Sequence, residues 1–273
     1  MSVDEHTIEL AGSPVFYRTA PAPGAPALYV HGVPTSSDDW ISFLERSGGI
    51  APDLIGFGRS GKGGNLDYSI EGLTDFLERL LERLEIERVK LVVHDWGAAV
   101  GLAFAQRNPE RIERIVLLNG VPVFSSQDVR WHLLGRLWVR PGIGELVMGA
   151  TTRGMLARTL RSGTVDPKAW PDARIASIWK QFDQGTQRAI LRLYRSADER
   201  ELTRTGAGLD RLEAPALIVW GDADPWLPVA VGETYASVLP HASVDHVQRA
   251  GHWPWLDSPD VVDRVASFLE AAA

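Results

Sequence analysis

The chain contains no cysteine, which excludes disulfides and thiolate metal sites outright. It has no basic excess: 28 lysines and arginines stand against 35 aspartates and glutamates, a formal net charge of −7. Nucleic-acid binders usually present a basic face, so that class is set aside. A modest negative charge serves solubility and says little about a substrate. No apolar run approaches the roughly 20 residues a membrane span needs. The opening Met1-Ser2-Val3-Asp4-Glu5-His6 is acidic and lacks an apolar signal core. The expectation is a cytoplasmic protein that engages neither nucleic acid nor membrane. Internal repeats and low-complexity tracts are also lacking.

What is present is enough apolar material for a full core, 45% of 273 residues. That length suits one large α/β domain or a domain with an insertion. Four short apolar runs read as buried parallel strands: Ala27–Val30, Lys90–Val93, Ile115–Leu118 and Ala216–Trp220. Between them lie amphipathic stretches. Residues 70–86 place Leu73, Phe76, Leu77, Leu80, Leu81 and Leu84 at helical spacing. A last helix over about 260–271 repeats the pattern through Val261, Val262, Val265 and Phe268. Alternating strands and helices predict an α/β fold, a mostly parallel twisted sheet flanked by helices. Residues 123–205 differ. They show helical spacing broken by Gly and Pro, with no convincing strand. The expected organisation is a core of 1–122 and 206–273 with an inserted helical cap of 123–205.

The most informative run is Leu91-Val92-Val93-His94-Asp95-Trp96-Gly97-Ala98-Ala99. It reads as a strand breaking into a tight turn and then a helix of small residues. Such a turn exposes one nucleophile above a parallel sheet, beside free backbone N–H groups. The better-known version carries serine. Here the residue is Asp95, and no serine in such a strand–turn–helix setting competes with it. A carboxylate attacks saturated carbon and leaves an alkyl–enzyme ester that water must cleave. An aspartate before a helix also serves as an N-cap, so Asp95 gains meaning only from its companions.

Those companions follow in order. His252 lies in Ala250-Gly251-His252-Trp253, a loop before the last helix, where a base could reach over the sheet edge. Asp224, in Gly221-Asp222-Ala223-Asp224-Pro225, lies just past a strand and could orient that histidine, with Asp222 as its rival. His31-Gly32-Val33-Pro34 follows an early strand, and the Val33 N–H could join the Trp96 N–H in an oxyanion hole. Nucleophile, acid, base is the chain order of α/β-hydrolases.

From His31 into the last helix, the chain resembles the aspartate-nucleophile branch of the α/β-hydrolase superfamily, which holds the haloalkane dehalogenases and epoxide hydrolases. His31-Gly32-Val33-Pro34-Thr35-Ser36-Ser37, Ala51-Pro52-Asp53-Leu54-Ile55-Gly56-Phe57-Gly58-Arg59-Ser60 and His94-Asp95-Trp96-Gly97 lean toward the dehalogenases. The resemblance implies Asp95 as nucleophile, His252 as base, Asp224 as acid and the Trp96 indole as a cradle for halide. It implies no metal or organic cofactor, with a small apolar organic molecule and water as substrates. Val93 stands where a small residue is usual. Many dehalogenases carry an asparagine donor after the His-Gly pair, where this chain has Val33. A cap tryptophan replaces it in another branch, and of Trp131, Trp138, Trp170 and Trp179 the position of Trp138 fits best. Some relatives place the acid after the preceding strand, but Asn119 there cannot ionise. Epoxide hydrolases instead use cap O–H donors, usually two tyrosines; here Tyr194 resembles the second, and His132 could substitute for the first. Haloalkane dehalogenase is the leading expectation and epoxide hydrolase the alternative. A ligand-binding module with a vestigial triad is the third.

Overall fold

The computed structural model describes residues 1–124 and 133–271. Its strands are β1 (Asp4–Leu10), β2 (Ser13–Ala20), β3 (Ala27–Val30), β4 (Gly49–Pro52), β5 (Val89–Asp95), β6 (Ile112–Gly120), β7 (Ala216–Gly221) and β8 (Ala242–Val247). They form one sheet in the order β1-β2-β4-β3-β5-β6-β7-β8. β2 pairs antiparallel with both β1 and β4, and every later pair is parallel. β3, β5, β6 and β7 contain the four runs expected from sequence. They lie inside the sheet and are buried along most of their length, which is why they read as unbroken apolar stretches.

The remaining strands carry no such signal. β1 is the outer strand, with exposed and half-buried residues alternating. β4 is only Gly49-Ile50-Ala51-Pro52. β8, at the other edge, carries Asp245 and His246. The helix over Ile70–Arg83 starts where the Ser69 hydroxyl accepts from the Gly72 N–H at 3.1 Å, and it buries Leu73, Phe76, Leu77, Leu80 and Leu81. It packs on the helix Trp96–Arg107, while Ile41–Ser47 packs on the last helix, Val261–Glu270. Parallel strands require such crossover helices.

Between β6 and β7 the described residues form helices and turns and no strand. The helices are Leu133–Trp138, Ile143–Gly149, Arg153–Ser162, Asp172–Gln181, Gln184–Ser196 and Glu199–Thr205. Thr152, Asp183 and Asp198 cap three of them through side-chain oxygens. Ion pairs tie this insert to the rest of the molecule: Arg174 to the buried Asp39 at 2.8 Å, and Lys62 to Asp183 at 2.9 Å. No helix among the described residues is long and apolar enough to cross a membrane.

Candidate active site

The carboxyl ends of β3, β5, β6 and β7 converge on one point. Open α/β sheets bind ligands along this edge. Asp95 ends β5, and the helix Trp96–Arg107 begins at the next residue. Asp95 has φ 50° and ψ −124°, a conformation only glycine adopts readily, and its side chain does not cap the helix. The strained turn holds the carboxylate at the start of the helix without a side-chain capping bond, so the N-cap role does not describe it.

One carboxylate oxygen is held. Oδ2 of Asp95 accepts from the Val33 N–H at 2.8 Å, and the Trp96 backbone N–H also donates to this carboxylate. Gly32 permits the approach, because a Cβ there would sit 2.4 Å from Oδ2. The loop is braced by His31, whose Nε2 accepts from the Leu54 N–H at 3.0 Å. Its Nδ1 therefore carries the proton donated to the Gly32 carbonyl at 2.8 Å. Burial lowers the pKa of His31, which keeps the strut neutral.

Oδ1 faces His252. The Nε2–Oδ1 distance is 3.7 Å, and the opposite ring nitrogen, Nδ1, lies 2.7 Å from Oδ2 of Asp224. The Asp224 side chain is wholly buried yet fully engaged. Its Oδ1 accepts from the Trp226 and Leu227 N–H groups at 2.8 and 3.1 Å. Its Oδ2 also accepts from Asn119 Nδ2 at 2.7 Å. This geometry puts the imidazole proton on Nδ1 and the lone pair on Nε2. Asp222 is not the partner; it pairs with His246 Nδ1 at 2.9 Å near the surface.

The same contacts set the proton affinities. Burial alone would lower that of His252, but the Asp224 charge and hydrogen bond outweigh it and leave the pKa above the ordinary histidine value. Burial raises the Asp95 pKa, against the pull of His252 and the two N–H donors. His94 is driven well below the usual range, chiefly by burial and then by the neighbouring His252. As a neutral ring, His94 donates Nε2–H to the His252 carbonyl at 2.8 Å.

Above the carboxylate lies a cavity of about 100 Å³. Core residues Val33, Trp96 and Trp226 line it together with Trp138, Leu160 and Tyr194 of the insert. Among the described lining residues there is no lysine or arginine. The Trp96 indole donates to the Tyr194 hydroxyl, and Trp138 meets the Tyr194 ring edge-on with centroids 5.1 Å apart. Trp96 and Trp138 of one leaving-group set and Tyr194 of the other therefore share one wall. Burial raises the Tyr194 pKa, which keeps the phenol protonated.

The other tryptophans weighed for this role divide. Trp170 is buried against Trp253, and Trp179 stacks on Phe182; neither lines the cavity. Trp131 and His132 lie outside the described residues. Sequence reasoning passed over Asn119 because it cannot ionise, and over Trp226, whose ring packs 4.8 Å from that of His252. Among the described residues, no cluster of three histidine or carboxylate side chains is arranged to hold a metal ion.

The model of the α/β hydrolase fold family matches residues 26–259. The chain is 30% identical to a haloalkane dehalogenase of Mycolicibacterium paratuberculosis, over 92% of this chain and 85% of that one. It is 31% identical to a cis-3-alkyl-4-alkyloxetan-2-one decarboxylase of Shewanella oneidensis, over 90% and 82%. It is 26% identical to epoxide hydrolase 1 of Caenorhabditis elegans, over 89% and 64%. Among solved structures, the haloalkane dehalogenase DbeA of Bradyrhizobium elkanii superposes with a TM-score of 0.85 at 25% identity, over 98% of both chains. The chain belongs to the α/β hydrolase fold family and is a hydrolase similar to the haloalkane dehalogenases within it.

Proposed function

We propose that this protein is a haloalkane dehalogenase that works through an alkyl ester on Asp95. One observation carries the reading: Asp95 has one oxygen taken up by the Val33 N–H, while the other faces the His252–Asp224 pair. Oδ1 attacks the halogen-bearing carbon in line, the carbon–halogen bond breaks, and halide leaves with the bonding electrons. Trp96 and Trp138 donate indole N–H groups to the departing anion, with the Trp96 donor exchanging its bond to Tyr194. Oδ2 is now the ester carbonyl oxygen. His252 Nε2 takes a proton from water, and the resulting hydroxide adds to Cγ of Asp95. The Val33 and Trp96 N–H groups hold the oxyanion formed on Oδ2. Collapse expels the alkoxide, which takes the proton from His252 and leaves as alcohol. The Asp95 carboxylic acid left behind gives up the remaining water proton to solvent, one proton per halide released, and the carboxylate is restored. In this reading residues 123–205 form a cap that closes the cavity, and the largely apolar lining among the described residues suits a neutral organic substrate.

Tyr194 favours a second reading. Opening an epoxide leaves an alkoxide that needs a proton, and a phenol kept protonated beside Asp95 could supply it. The test is turnover by the purified protein with Asp95→Asn as blank. One arm follows halide release from short bromoalkanes, a second follows diol from styrene oxide and aliphatic epoxides, and a third follows loss of a β-lactone. Halide without diol supports the dehalogenase. Diol without halide replaces it with the epoxide hydrolase, and lactone loss alone replaces both. Tight binding of these compounds without turnover would point to a ligand-binding module.

A further inference from the structure

The loop that presents His252 is attached to the insert more firmly than the triad requires. After the insert helix Arg153–Ser162, residues 163–166 lie against this loop. The His252 N–H donates to the Gly163 carbonyl at 2.7 Å. One carboxylate ties the rest. Asp257 Oδ2 accepts from Gly251 N–H at 2.8 Å and Val165 N–H at 3.0 Å, and its Oδ1 accepts from Asp166 N–H at 3.0 Å. So Asp257 joins the residue before the base to two consecutive residues of the insert. The approach is close: a Cβ on Gly251 would lie 2.2 Å from the Gly163 carbonyl oxygen. The peptide of His252 is thus gripped from both sides, by His94 of the core at its carbonyl and by Gly163 of the insert at its N–H.

We infer that Asp257 is a positioning residue for the base, and that through it the insert sets the placement of His252 during ester hydrolysis. The inference rests on the alkyl–enzyme reading. Attack by Asp95 does not use His252, so alkylation is indifferent to this clamp. Hydrolysis needs Nε2 aimed at a water beside Cγ, and misplacement by about 1 Å costs on the order of 100-fold. Disturbing the clamp therefore slows the second step selectively. A role confined to stability would move the melting temperature and leave the ratio of the two steps unchanged.

The experiment compares wild type, Asp257→Asn and His252→Gln under rapid quench with whichever substrate the full protein turns over. Ester on the protein is read by intact mass, and folding by a melting curve. Asp257→Asn keeps the shape but places an amide N–H against backbone donors. The expected result is an alkylation rate within about threefold of wild type, hydrolysis slowed about 10- to 100-fold, and ester accumulating. Val165→Pro, at an exposed position of the insert, removes a single donor to Asp257 and should give a smaller shift of the same kind. If His252→Gln traps ester but Asp257→Asn keeps the wild-type ratio of rates, the assignment of Asp257 is wrong and the alkyl–enzyme reading survives. If His252→Gln traps no ester, that reading fails and takes the inference with it. If neither clamp variant folds, Asp257 is a folding residue and the positioning role is overturned.

Discussion

Asp224→Asn should separate the two chemical steps, and its effect can be worked from the four donors around that carboxylate. Oδ1 receives the Trp226 and Leu227 N–H groups, and Oδ2 receives Asn119 Nδ2 and His252 Nδ1. An asparagine keeps only one acceptor oxygen. Its amide nitrogen cannot face the two backbone donors without losing both bonds, so it turns toward Asn119 and His252. The imidazole can adapt by moving its proton from Nδ1 to Nε2. Asn119 cannot adapt as easily, because its Oδ1 already accepts from the Gly221 N–H at 2.9 Å. One buried donor is then left facing another, at a cost of about 1–3 kcal/mol in stability. The chemical effect is larger. With Nε2 protonated, the base has no lone pair for water, and a wrong tautomer of this kind lowers turnover about 10⁴-fold. That is roughly 5 kcal/mol of barrier, all of it in ester hydrolysis. Rapid mixing with a bromoalkane should show one equivalent of halide released at near the wild-type rate and then a stall, with an alkylated protein by mass. Steady turnover within about tenfold of wild type, with no ester detected, would refute this reasoning.

Other consequences follow from the same contacts. His252 has a raised pKa. In the proposed mechanism it acts as a neutral base, so ester hydrolysis should climb with pH through a value above the ordinary 6.5; single-turnover rates against pH would check this. The stability that His252 lends runs the opposite way, being full below the unfolded pKa and lost as pH rises through the folded one. Burial raises the Asp95 pKa, so its ionisation at neutral pH opposes folding; Asp95→Asn should melt a few degrees above wild type at pH 7 and lose that advantage in acid, as calorimetry can show. Trp138→Phe should lower kcat/KM for bromoalkanes about 10- to 100-fold, while Tyr194→Phe should leave halide release within about threefold; the reverse pattern, measured on epoxides, would favour the second reading. Arg174→Met strands the buried Asp39 carboxylate and should cost about 2–4 kcal/mol in urea unfolding, much of it recovered by adding Asp39→Asn.

The strand–turn–helix at Asp95 was legible because three physical signals coincide there: an apolar run buried on both faces, an abrupt turn, and small residues where the helix must pass close to the sheet. Asp224 was legible from its place after an apolar strand of the same kind, and His252 from chain order and its loop before the last helix. β1, β4 and β8 were not, because an edge strand has no second face to bury and a four-residue strand has no room for a period. The choice between Asp222 and Asp224 needed three dimensions, since both follow β7 and only one turns inward. Asn119 shows a limit of reading residues by ionisation alone. It supplies no charge, yet it donates to Asp224 and accepts from Gly221, spanning β6 and the end of β7. The insert was the least readable part. Its helices announce themselves by spacing, but which side chains reach the cavity depends on how they pack, and Trp138 and Tyr194 meet at one wall from two separate helices.

The most direct measurement is a single turnover in ¹⁸O-labelled water with enzyme in excess over substrate, using whichever substrate the protein consumes. The account predicts unlabelled product, because its new oxygen comes from Asp95 Oδ1, and ¹⁸O in the peptide containing Asp95. Label in the product with none in that peptide would mean that water attacks the substrate directly, and the covalent role of Asp95 would be wrong.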